Sequence, residues 1–274
     1  MKIEFIKMQG LGNDFVFVDG RRFKIPNPKK TARFLCDRRR GVGADQLLIL
    51  GKSRKADFRM EIYNADGSVA GMCGNGLRCL ARYVRDQKLS TRSEIRIETS
   101  SGIRTAQVIS RGKVTVDMGL PVLKSREIPV NLSGRVINRP IRVDGKELRA
   151  TCLSMGNPHC VLFVEDLENA PVGKLGPVIE RHNLFPQRTN VEFVRVGSHR
   201  EIEMRVWERG AGETLACGSG ACAATVASVL NGFTDRKVDV KLPGGVLQIE
   251  WDRDSGHVFM TGPAETVFKG EVDV

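Results

Sequence analysis

Two short stretches of the sequence repeat one cysteine–glycine motif, MCGNGLRC at 72–79 and ACGSGACA at 216–223. In each stretch a glycine-flanked cysteine, Cys73 or Cys217, precedes an apolar segment that predicts a helix. A thiol can exchange protons near neutral pH because its ordinary pKa is about 8.5, and the positive end of a helix favours the thiolate. The backbone N–H groups at such a helix start also bind carboxylates. The motif therefore predicts a loop that holds a carboxylate with a sulfur beside it.

Two such loops around one ligand would place a sulfur on each side of its α-carbon. This arrangement suits removal of a proton from one face and delivery to the other, which inverts the stereocentre. A redox dithiol would need two sulfurs close in sequence, and a zinc site would need four ligands at short spacings. The sequence has neither pattern, so we predict no metal site. The remaining cysteines are predicted to be small core residues: Cys36, Cys79, Cys152, Cys160 and Cys222.

Other polar residues recur at fixed distances from these cysteines. Asn64 and Glu208 each stand nine residues before their cysteine, and Arg209 follows Glu208 directly. A guanidinium suits a second carboxylate and a glutamate suits an ammonium group, although a Glu-Arg dipeptide is also a common surface ion pair. His159 could relay a proton or serve as a structural residue. Four amides at equivalent places of the two halves could orient a substrate or simply form turns: Asn13, Gln46, Asn157 and Asn190.

The spacing of these residues reveals an internal repeat. A shift of 144 positions superposes Cys73 on Cys217, and it also superposes Asn64 on Glu208, Gln46 on Asn190 and residues 12–13 on 156–157. A shift of 143 aligns the later segments. A repeat of this length predicts two similar domains, residues 1–120 and 121–263, with the tail 264–274 packing on the first. We expect the linker between residues 119 and 139, where prolines, Pro140 just beyond them included, interrupt regular structure.

The secondary-structure pattern is the same in both halves. Apolar, β-branched runs at 14–19, 58–64, 159–166 and 201–208 predict strands. Helices are predicted at about 77–85 and 221–230, with one further helix per half at 28–40 and 172–182. Glycine turns within 96–109 and 239–251 predict hairpins. We therefore predict an α+β fold of two pseudo-symmetric domains, each a mainly antiparallel sheet wrapped around a central helix.

Composition narrows the possible partners and the compartment. The net charge of +11 favours anionic partners, and a nucleic-acid-binding protein is one alternative. However, the cations are dispersed, and two Trp and two Tyr offer little surface for stacking bases. Seven cysteines without a Cys-x-x-Cys pair predict reduced thiols in the cytoplasm, and no signal peptide is apparent. The uncharged run 214–234 predicts a buried helix rather than a membrane span. We therefore expect no nucleic-acid or membrane partner.

Several longer segments together resemble diaminopimelate epimerases. The resemblance is carried by MQGLGNDFVFVD, GADQ, NADGSVAGMCGNGLRC, GNPHCVLFV, TNVEFV, ERGAGETLACGSGACA and TGPAETVFKGE, in order along nearly the whole chain. It implies a cofactor-independent isomerase, which needs no pyridoxal phosphate. The implied reaction interconverts LL- and meso-2,6-diaminopimelate on the route to lysine and peptidoglycan. The partner it implies is a small amino-acid substrate, and a homodimer is the candidate assembly.

The resemblance also implies roles for individual residues. Cys73 and Cys217 correspond to the catalytic acid/base pair, and His159 with Glu208 to groups that adjust the thiol pKa. Substrate-binding positions are Asn13, Gln46, Asn64, Gly74, Asn75, Asn157, Asn190, Glu208, Arg209, Gly218 and Ser219. Two departures from the family pattern, Gln9 for histidine and Ala44 for an aromatic residue, are expected to alter only the shape of the site. A proline racemase-type enzyme is an alternative that shares the paired thiols. The substrate of such an enzyme, however, has no distal amino-acid group that Arg209 could bind.

Overall fold

The structure is a computed structural model that describes residues 2–110 and 112–274. Met1 and Arg111, which both fall in the predicted domain 1–120, lie outside the described residues. The chain forms two compact units, the first comprising Met1–Asp117 with Thr261–Val274 and the second comprising Met118–Met260. The division into domains at 120/121 and 263/264 stays a prediction.

Strands outnumber helices, as the alternating apolar patterns predict. The helices are α1 (Pro28–Leu35), α2 (Gly74–Asp86), α3 (Val172–Glu180) and α4 (Gly218–Leu230). The strands of the first half are β1 (Lys2–Gly10), β2 (Asn13–Asp19), β3 (Gln46–Gly51), β4 (Phe58–Asn64), β5 (Glu94–Thr99), β6 (Gly102–Ser110) and β7 (Lys113–Asp117). Those that follow are β8 (Val136–Val143), β9 (Lys146–Ser154), β10 (Pro158–Phe163), β11 (Asn190–Ser198), β12 (Glu201–Glu208), β13 (Gly212–Thr214), β14 (Lys237–Leu242), β15 (Gly245–Trp251), β16 (Val258–Pro263) and β17 (Glu265–Asp273). The fold is α+β, which confirms the predicted class.

The first unit is built on a mixed sheet around a buried helix. Its strands are paired in the order β17, β1, β2, β3, β4, β5, β6, β7, and all pairs are antiparallel except β2 with β3 and β4 with β5. Helix α2 packs against β1, β6 and β7, and it buries Leu77, Leu80 and Val84 completely. Burial of three aliphatic side chains contributes about 1.5–3 kcal/mol each. The tail strand β17 belongs to this unit through its antiparallel pairing with β1.

The second unit repeats this arrangement element by element. Its strands are paired in the order β8, β9, β10, β11, β12, β14, β15, with the same sequence of antiparallel and parallel pairs. A shift of 144 residues carries β1 onto β9 and α2 onto α4 without any change of bounds. Strand β8 therefore pairs with β9 where β17 pairs with β1. The repeat in the sequence is thus also a repeat in strand order.

Helices α2 and α4 begin earlier than the predicted starts at about 77 and 221. They begin at Gly74 and Gly218, so that Cys73 and Cys217 are the N-cap residues, both with extended backbone. The sequence pattern missed the first turn because glycine is a poor helix former and the apolar run starts three residues later. Helix α1 ends at Leu35 rather than near residue 40, with Cys36 as its C-cap.

The segment predicted as a linker, residues 119–139, is part of the second unit. Ile128, Val130 and Val136 are buried in the core of that unit. Pro140 does not interrupt regular structure, because it lies within β8. Among the strand pairs assigned in the described residues, β8 pairs with β9 alone. An edge strand tolerates proline because half of its N–H groups have no strand to pair with.

The uncharged run 214–234 contains α4, which is 13 residues long and packs against β9, β10, β11 and β12. Across residues 2–110 and 112–274, no helix has both the length and the apolar character that a membrane span requires.

Candidate active site

In the first unit, Cys73 caps the N-terminus of α2 with its own side chain. The Gly76 N–H donates to Cys73 Sγ at 3.4 Å. This N–H is one of the first in the helix, which have no carbonyl partner within the helix. The sulfur of the half-buried Cys73 therefore lies at the positive end of the helix dipole and accepts a backbone hydrogen bond.

Asn13 links Cys73 to charged residues at the surface of the same unit. Its Oδ1 accepts from Cys73 Sγ at 3.6 Å and from Asn75 Nδ2 at 3.1 Å. Its Nδ2 donates to Asp45 Oδ2 at 2.9 Å, and Asp45 also pairs with Arg38 at 2.8 Å. The Asn13 amide is therefore held in one orientation, with its oxygen towards the thiol.

Asp14 anchors this network to the sheet. Its carboxylate pairs with Lys7 and Arg38, both at 2.8 Å. Burial opposes ionisation of Asp14, but the hydrogen bonds from Arg38 and Lys7 outweigh it and lower its pKa to about 2. The carboxylate is therefore ionised at neutral pH, and it fixes the start of β2, where Asn13 lies.

The two-residue turn between β1 and β2 places Asn13 at the strand end. Leu11 and Gly12 both have positive φ, 59° and 82°, as a tight hairpin of this handedness requires. Gln9 stabilises the turn, since its Oε1 accepts from the Gly12 N–H at 2.9 Å and its Nε2 donates to Glu265 at 2.6 Å. Where the family pattern has histidine, this glutamine therefore holds the turn; the other departure, Ala44, is buried in the core.

Gln46 and Asn64 form the second polar pair of the first unit. They are direct partners in the β3–β4 ladder, and Gln46 Nε2 donates to Asn64 Oδ1 at 2.8 Å. Asn64 Nδ2 donates to Ser68 Oγ at 2.9 Å. The structure thus brings together two neutral amides that the sequence separates by eighteen residues.

In the second unit, Cys217 is buried at the N-terminus of α4 with 5% of its surface exposed. Burial raises the pKa of the Cys217 thiol well above its usual value, and the carboxylates of Glu208 and Glu192 raise it further. The Ser219 hydroxyl and the Gly220 backbone N–H act in the opposite direction. The Ser219 Oγ lies 3.6 Å from the sulfur. These surroundings therefore favour the thiol form of Cys217.

A chain of hydrogen bonds leads from Ser219 into the core. Asn157 Nδ2 donates to Ser219 Oγ at 3.3 Å, and Asn157 Oδ1 lies 3.0 Å from His159 Nε2. The other ring nitrogen, Nδ1, lies 2.6 Å from Glu192 Oε1. Both His159 and Glu192 are completely buried. The direct ring partners of His159 are therefore Asn157 and Glu192.

Asn190, Glu208 and Arg209 meet at the ends of β11 and β12. Asn190 accepts from the Arg209 backbone N–H at 2.9 Å and donates to the Pro158 carbonyl at 2.9 Å. The Arg209 guanidinium donates to the Gln187 carbonyl at 3.1 Å. Thr214 Oγ1 donates to Glu208 Oε1 at 2.5 Å. Glu208 thus occupies the place of Asn64 in the first unit, and Asn190 occupies the place of Gln46. The second unit therefore has a carboxylate, that of Glu208, where the first unit has a neutral amide.

The second glycine of each motif is required by close packing rather than by an unusual φ. A Cβ at Gly220 would lie 3.0 Å from Glu192 Oε1 and 3.3 Å from Cys217 Sγ. A Cβ at Gly76 would lie 3.2 Å from a methyl group of Leu48. A side chain at either glycine would therefore require the neighbouring side chains to move by a few tenths of an ångström.

Several side chains that contact the predicted site residues were not found from the sequence, among them Asp45, Ser68, Glu192 and Thr214. Glu192 carried a usable signal, because it is the one charged residue in the apolar run Val191–Val194, and a shift of 144 aligns it with Leu48. The others lie in polar surroundings, where only tertiary contacts distinguish them.

The parts of the chain that the structure describes contain no group of three or more His, Cys, Asp or Glu residues arranged to hold a metal ion. Acidic side chains near the two cysteines are held by guanidinium, imidazole, amide or hydroxyl partners. In chemical terms, each unit offers a thiol at a helix N-terminus, surrounded by oriented hydrogen-bonding groups.

The family of the chain follows from comparison with known sequences. The model of the family described as diaminopimelate epimerase matches residues 5–124 and 151–267. The chain belongs to the diaminopimelate epimerase family. The matched residues include both cysteine motifs and every predicted site residue.

Curated relatives are similar to this chain over almost its full length. The diaminopimelate epimerase of Desulfitobacterium hafniense is 54% identical, covering 98% of this chain and 97% of its own. That of Acetivibrio thermocellus is 50% identical, covering 99% of both. The chain is therefore an isomerase of the epimerase class, and the family prediction is confirmed over the proline racemase-type and nucleic-acid-binding alternatives.

Solved structures of more distant proteins share the fold. A PhzF-family phenazine biosynthesis protein of Bacillus anthracis superposes with a TM-score of 0.73 at 16% identity and covers 100% of both chains. A hydroxyproline epimerase of Agrobacterium vitis, solved with bound trans-4-hydroxy-L-proline, gives 0.71 at 15% identity over 99% of this chain and 92% of its own. At such identities the likeness concerns the fold alone.

Proposed function

We propose that this protein interconverts LL- and meso-2,6-diaminopimelate by two-base proton transfer at Cα. In this scheme the thiolate of Cys73 or Cys217 removes the Cα proton from one face, and the thiol of the other cysteine delivers a proton to the opposite face. Which thiol is the base depends on the isomer bound. No other reactant is consumed, because one proton leaves the substrate and one returns.

The observation that carries the proposal is the duplicated cysteine N-cap. Each unit places one thiol at the start of a 13-residue helix, at an equivalent position of an equivalent fold. The first N–H groups of such a helix can bind the substrate carboxylate, which holds Cα beside the sulfur and stabilises the charge that develops on proton removal. We assign this cradle to Gly74 and Asn75 in one motif and Gly218 and Ser219 in the other.

The remaining polar groups are assigned to the distal end and the orientation of the substrate. Arg209 suits the distal carboxylate and Glu208 an ammonium group, because charge-assisted hydrogen bonds are stronger than neutral ones. The oriented amides of Asn13, Gln46, Asn64, Asn157 and Asn190 can donate or accept without competing for the proton. His159 and Glu208 adjust the pKa of the thiols in this proposal.

The proposal extends to the metabolic setting. The product chemistry fits lysine and peptidoglycan precursor synthesis. Two catalytic thiols require a compartment that keeps cysteine reduced, so we place the reaction in the cytoplasm.

Solvent isotope exchange tests the proposed function. Purified protein is incubated in D2O with LL- or meso-diaminopimelate, without pyridoxal phosphate, and Cα deuterium and isomer ratio are followed by NMR. We expect both isomers to interconvert with deuterium entering at Cα, and L-proline under the same conditions to remain unlabelled. Exchange of proline but not of diaminopimelate would instead support a proline racemase-type activity. No exchange with either substrate would reject the proposal.

A further inference from the structure

The second unit contains a buried acid–imidazole pair whose acid has no role in the proposed function. Glu192 and His159 are both completely buried, and Glu192 Oε1 lies 2.6 Å from His159 Nδ1. Glu192 lies on β11 within an otherwise apolar run. Removing two ionisable groups from water costs free energy, which a close hydrogen bond offsets only in part.

The fold does not require this pair. Phe15 and Leu48 are the repeat equivalents of His159 and Glu192, and both are completely buried. The register is the same, because Phe15 pairs with Gln46 in β2–β3 as His159 pairs with Asn190 in β10–β11. Two apolar residues therefore fill these places in one unit, and replacing a buried ion pair by apolar residues is often neutral or stabilising. A packing role alone does not explain an acid and an imidazole here.

The pair is connected to Cys217 through three side-chain contacts. His159 Nε2 lies 3.0 Å from Asn157 Oδ1, and Asn157 Nδ2 donates to Ser219 Oγ at 3.3 Å. Ser219 Oγ lies 3.6 Å from Cys217 Sγ. Each end of the Asn157 amide is thus fixed by a different partner. If the amide turned over, its oxygen rather than its NH2 group would face Ser219.

Both ring nitrogens of His159 face oxygen acceptors. A neutral imidazole can donate from one nitrogen only, whereas an imidazolium donates from both. Glu192 supplies the counter-charge that a buried imidazolium needs. Burial raises the pKa of Glu192 above its ordinary value, and the positive charge and hydrogen bond of His159 offset this rise only in part. The other titratable groups that interact with Glu192 are Glu208, Cys217 and Cys160.

We propose that Glu192 is a positioning residue that keeps His159 as an imidazolium, which locks the Asn157 amide with its NH2 group towards Ser219, beside Cys217. Glu192 does not contact the substrate in this scheme. It acts through His159 and Asn157 on the groups that surround the thiol. Its kinetic consequence rests on the proposed function, whereas the protonation state of His159 does not.

Nitrogen-15 NMR of the histidine rings tests the protonation state without any substrate. The chain has four histidines, and His159→Gln identifies the signal of His159 by its loss. At pH 7.5 we expect both ring nitrogens of His159 to be protonated in the wild type and only one in Glu192→Gln. Glu203→Gln serves as the control, because Glu203 lies on β12 and its carboxylate pairs with Arg195 of β11. This variant should leave the His159 signals unchanged. A neutral His159 in the wild type would overturn the inference.

Kinetics then test the positioning role. We expect kcat for diaminopimelate to fall about 10- to 100-fold in Glu192→Gln, in the range typical of groups that orient a reacting side chain, and to stay unchanged in Glu203→Gln. The double variant His159→Phe with Glu192→Leu introduces the apolar pair of the first unit. It should melt at or above the wild-type temperature and show at least the same loss of kcat.

The outcomes separate this inference from the proposed function. A wild-type kcat in either Glu192 variant would overturn the positioning role, and a double variant that does not fold would show that the pair is structural and would also overturn it. A wild type that is inactive on both isomers yet shows an imidazolium at His159 would reject the proposed function alone.

Discussion

Beneath the first turn of α2 lies the side chain of Leu48, whereas beneath the first turn of α4 lies the carboxylate of Glu192. The two helices have the same length and the same N-cap residue type, and they occupy equivalent positions in the repeat. One fold therefore accepts either an apolar or an ionisable residue at this place. The difference indicates that the surroundings of Cys217 are shaped by chemistry and not only by packing.

The units also anchor equivalent asparagines in different ways. Asn13 is held by Asp45 and through it by Arg38, whose side chain is 58% exposed. Asn157 is held by His159, which is completely buried. Exposed ion pairs contribute little and are screened by salt, while buried ones are strongly coupled to their partners. We therefore expect the Cys217 half to be the more sensitive to substitution.

The largest expected effect comes from removing either thiol. Cys73→Ala and Cys217→Ala should each reduce interconversion by about 10²- to 10⁴-fold, because a two-base reaction has no substitute for the missing acid or base. Chiral chromatography of the products measures this loss. Cys79→Ala is the matched control, since Cys79 lies on α2 and its repeat equivalent is Ala223. Near-normal turnover in Cys73→Ala or in Cys217→Ala would contradict the equal catalytic roles proposed for the two halves.

Arg209→Met should weaken substrate binding next most strongly. The first unit has Ala65 at the equivalent place, so recognition of a distal carboxylate is assigned to the second unit alone. Loss of a charge-assisted hydrogen bond costs about 1.5–3 kcal/mol, which corresponds to a rise in KM of about 10- to 100-fold. Steady-state kinetics provide the measurement, with Arg200→Met as a control at an exposed position. An unchanged KM would mean that the distal carboxylate is bound elsewhere.

Glu208→Gln should lower the pKa of the Cys217 thiol. The carboxylate of Glu208 raises this pKa because it disfavours a second negative charge nearby, so its neutralisation favours the thiolate. Alkylation by iodoacetamide, followed by mass spectrometry of the Cys217 peptide across pH, should therefore reach its half-maximal rate at lower pH. Glu213→Gln, whose carboxylate pairs with Arg205, should leave that pH unchanged. A shift to higher pH in Glu208→Gln would contradict the electrostatic assignment.

Asp45→Ala should have the smallest effect of the series. It removes the acceptor of Asn13 Nδ2 but leaves the contacts of Asn13 Oδ1 with Cys73 and Asn75 in place. We expect kcat/KM to fall by about two- to fivefold, the range for an exposed ionic network. The fall should be smaller than that in Glu192→Gln under the same conditions. The reverse order would show that the exposed network matters more than the buried pair.

The sequence by itself determined the repeat, the α+β class and the family, because these depend on patterns that recur along the chain. Motif spacing was sufficient to predict that Cys73 and Cys217 directly precede helices, and periodicity was sufficient to define β4 and β12. The sequence pattern could not locate the helix starts, because a glycine-rich first turn has no apolar periodicity. It also assigned residues 119–139 to a linker, because proline punctuation does not reveal that Ile128 and Val130 are buried.

Only the tertiary structure decided which polar groups contact each other. The partnership of His159 with Glu192 depends on the parallel pairing of β10 with β11, and that of Asn13 with Asp45 depends on the parallel pairing of β2 with β3. Parallel neighbours are separated by a helix and its loops, so their side-chain contacts leave no short-range signal in the sequence. Local patterns thus specified the elements, whereas long-range strand pairing brought together the polar side chains that surround each cysteine.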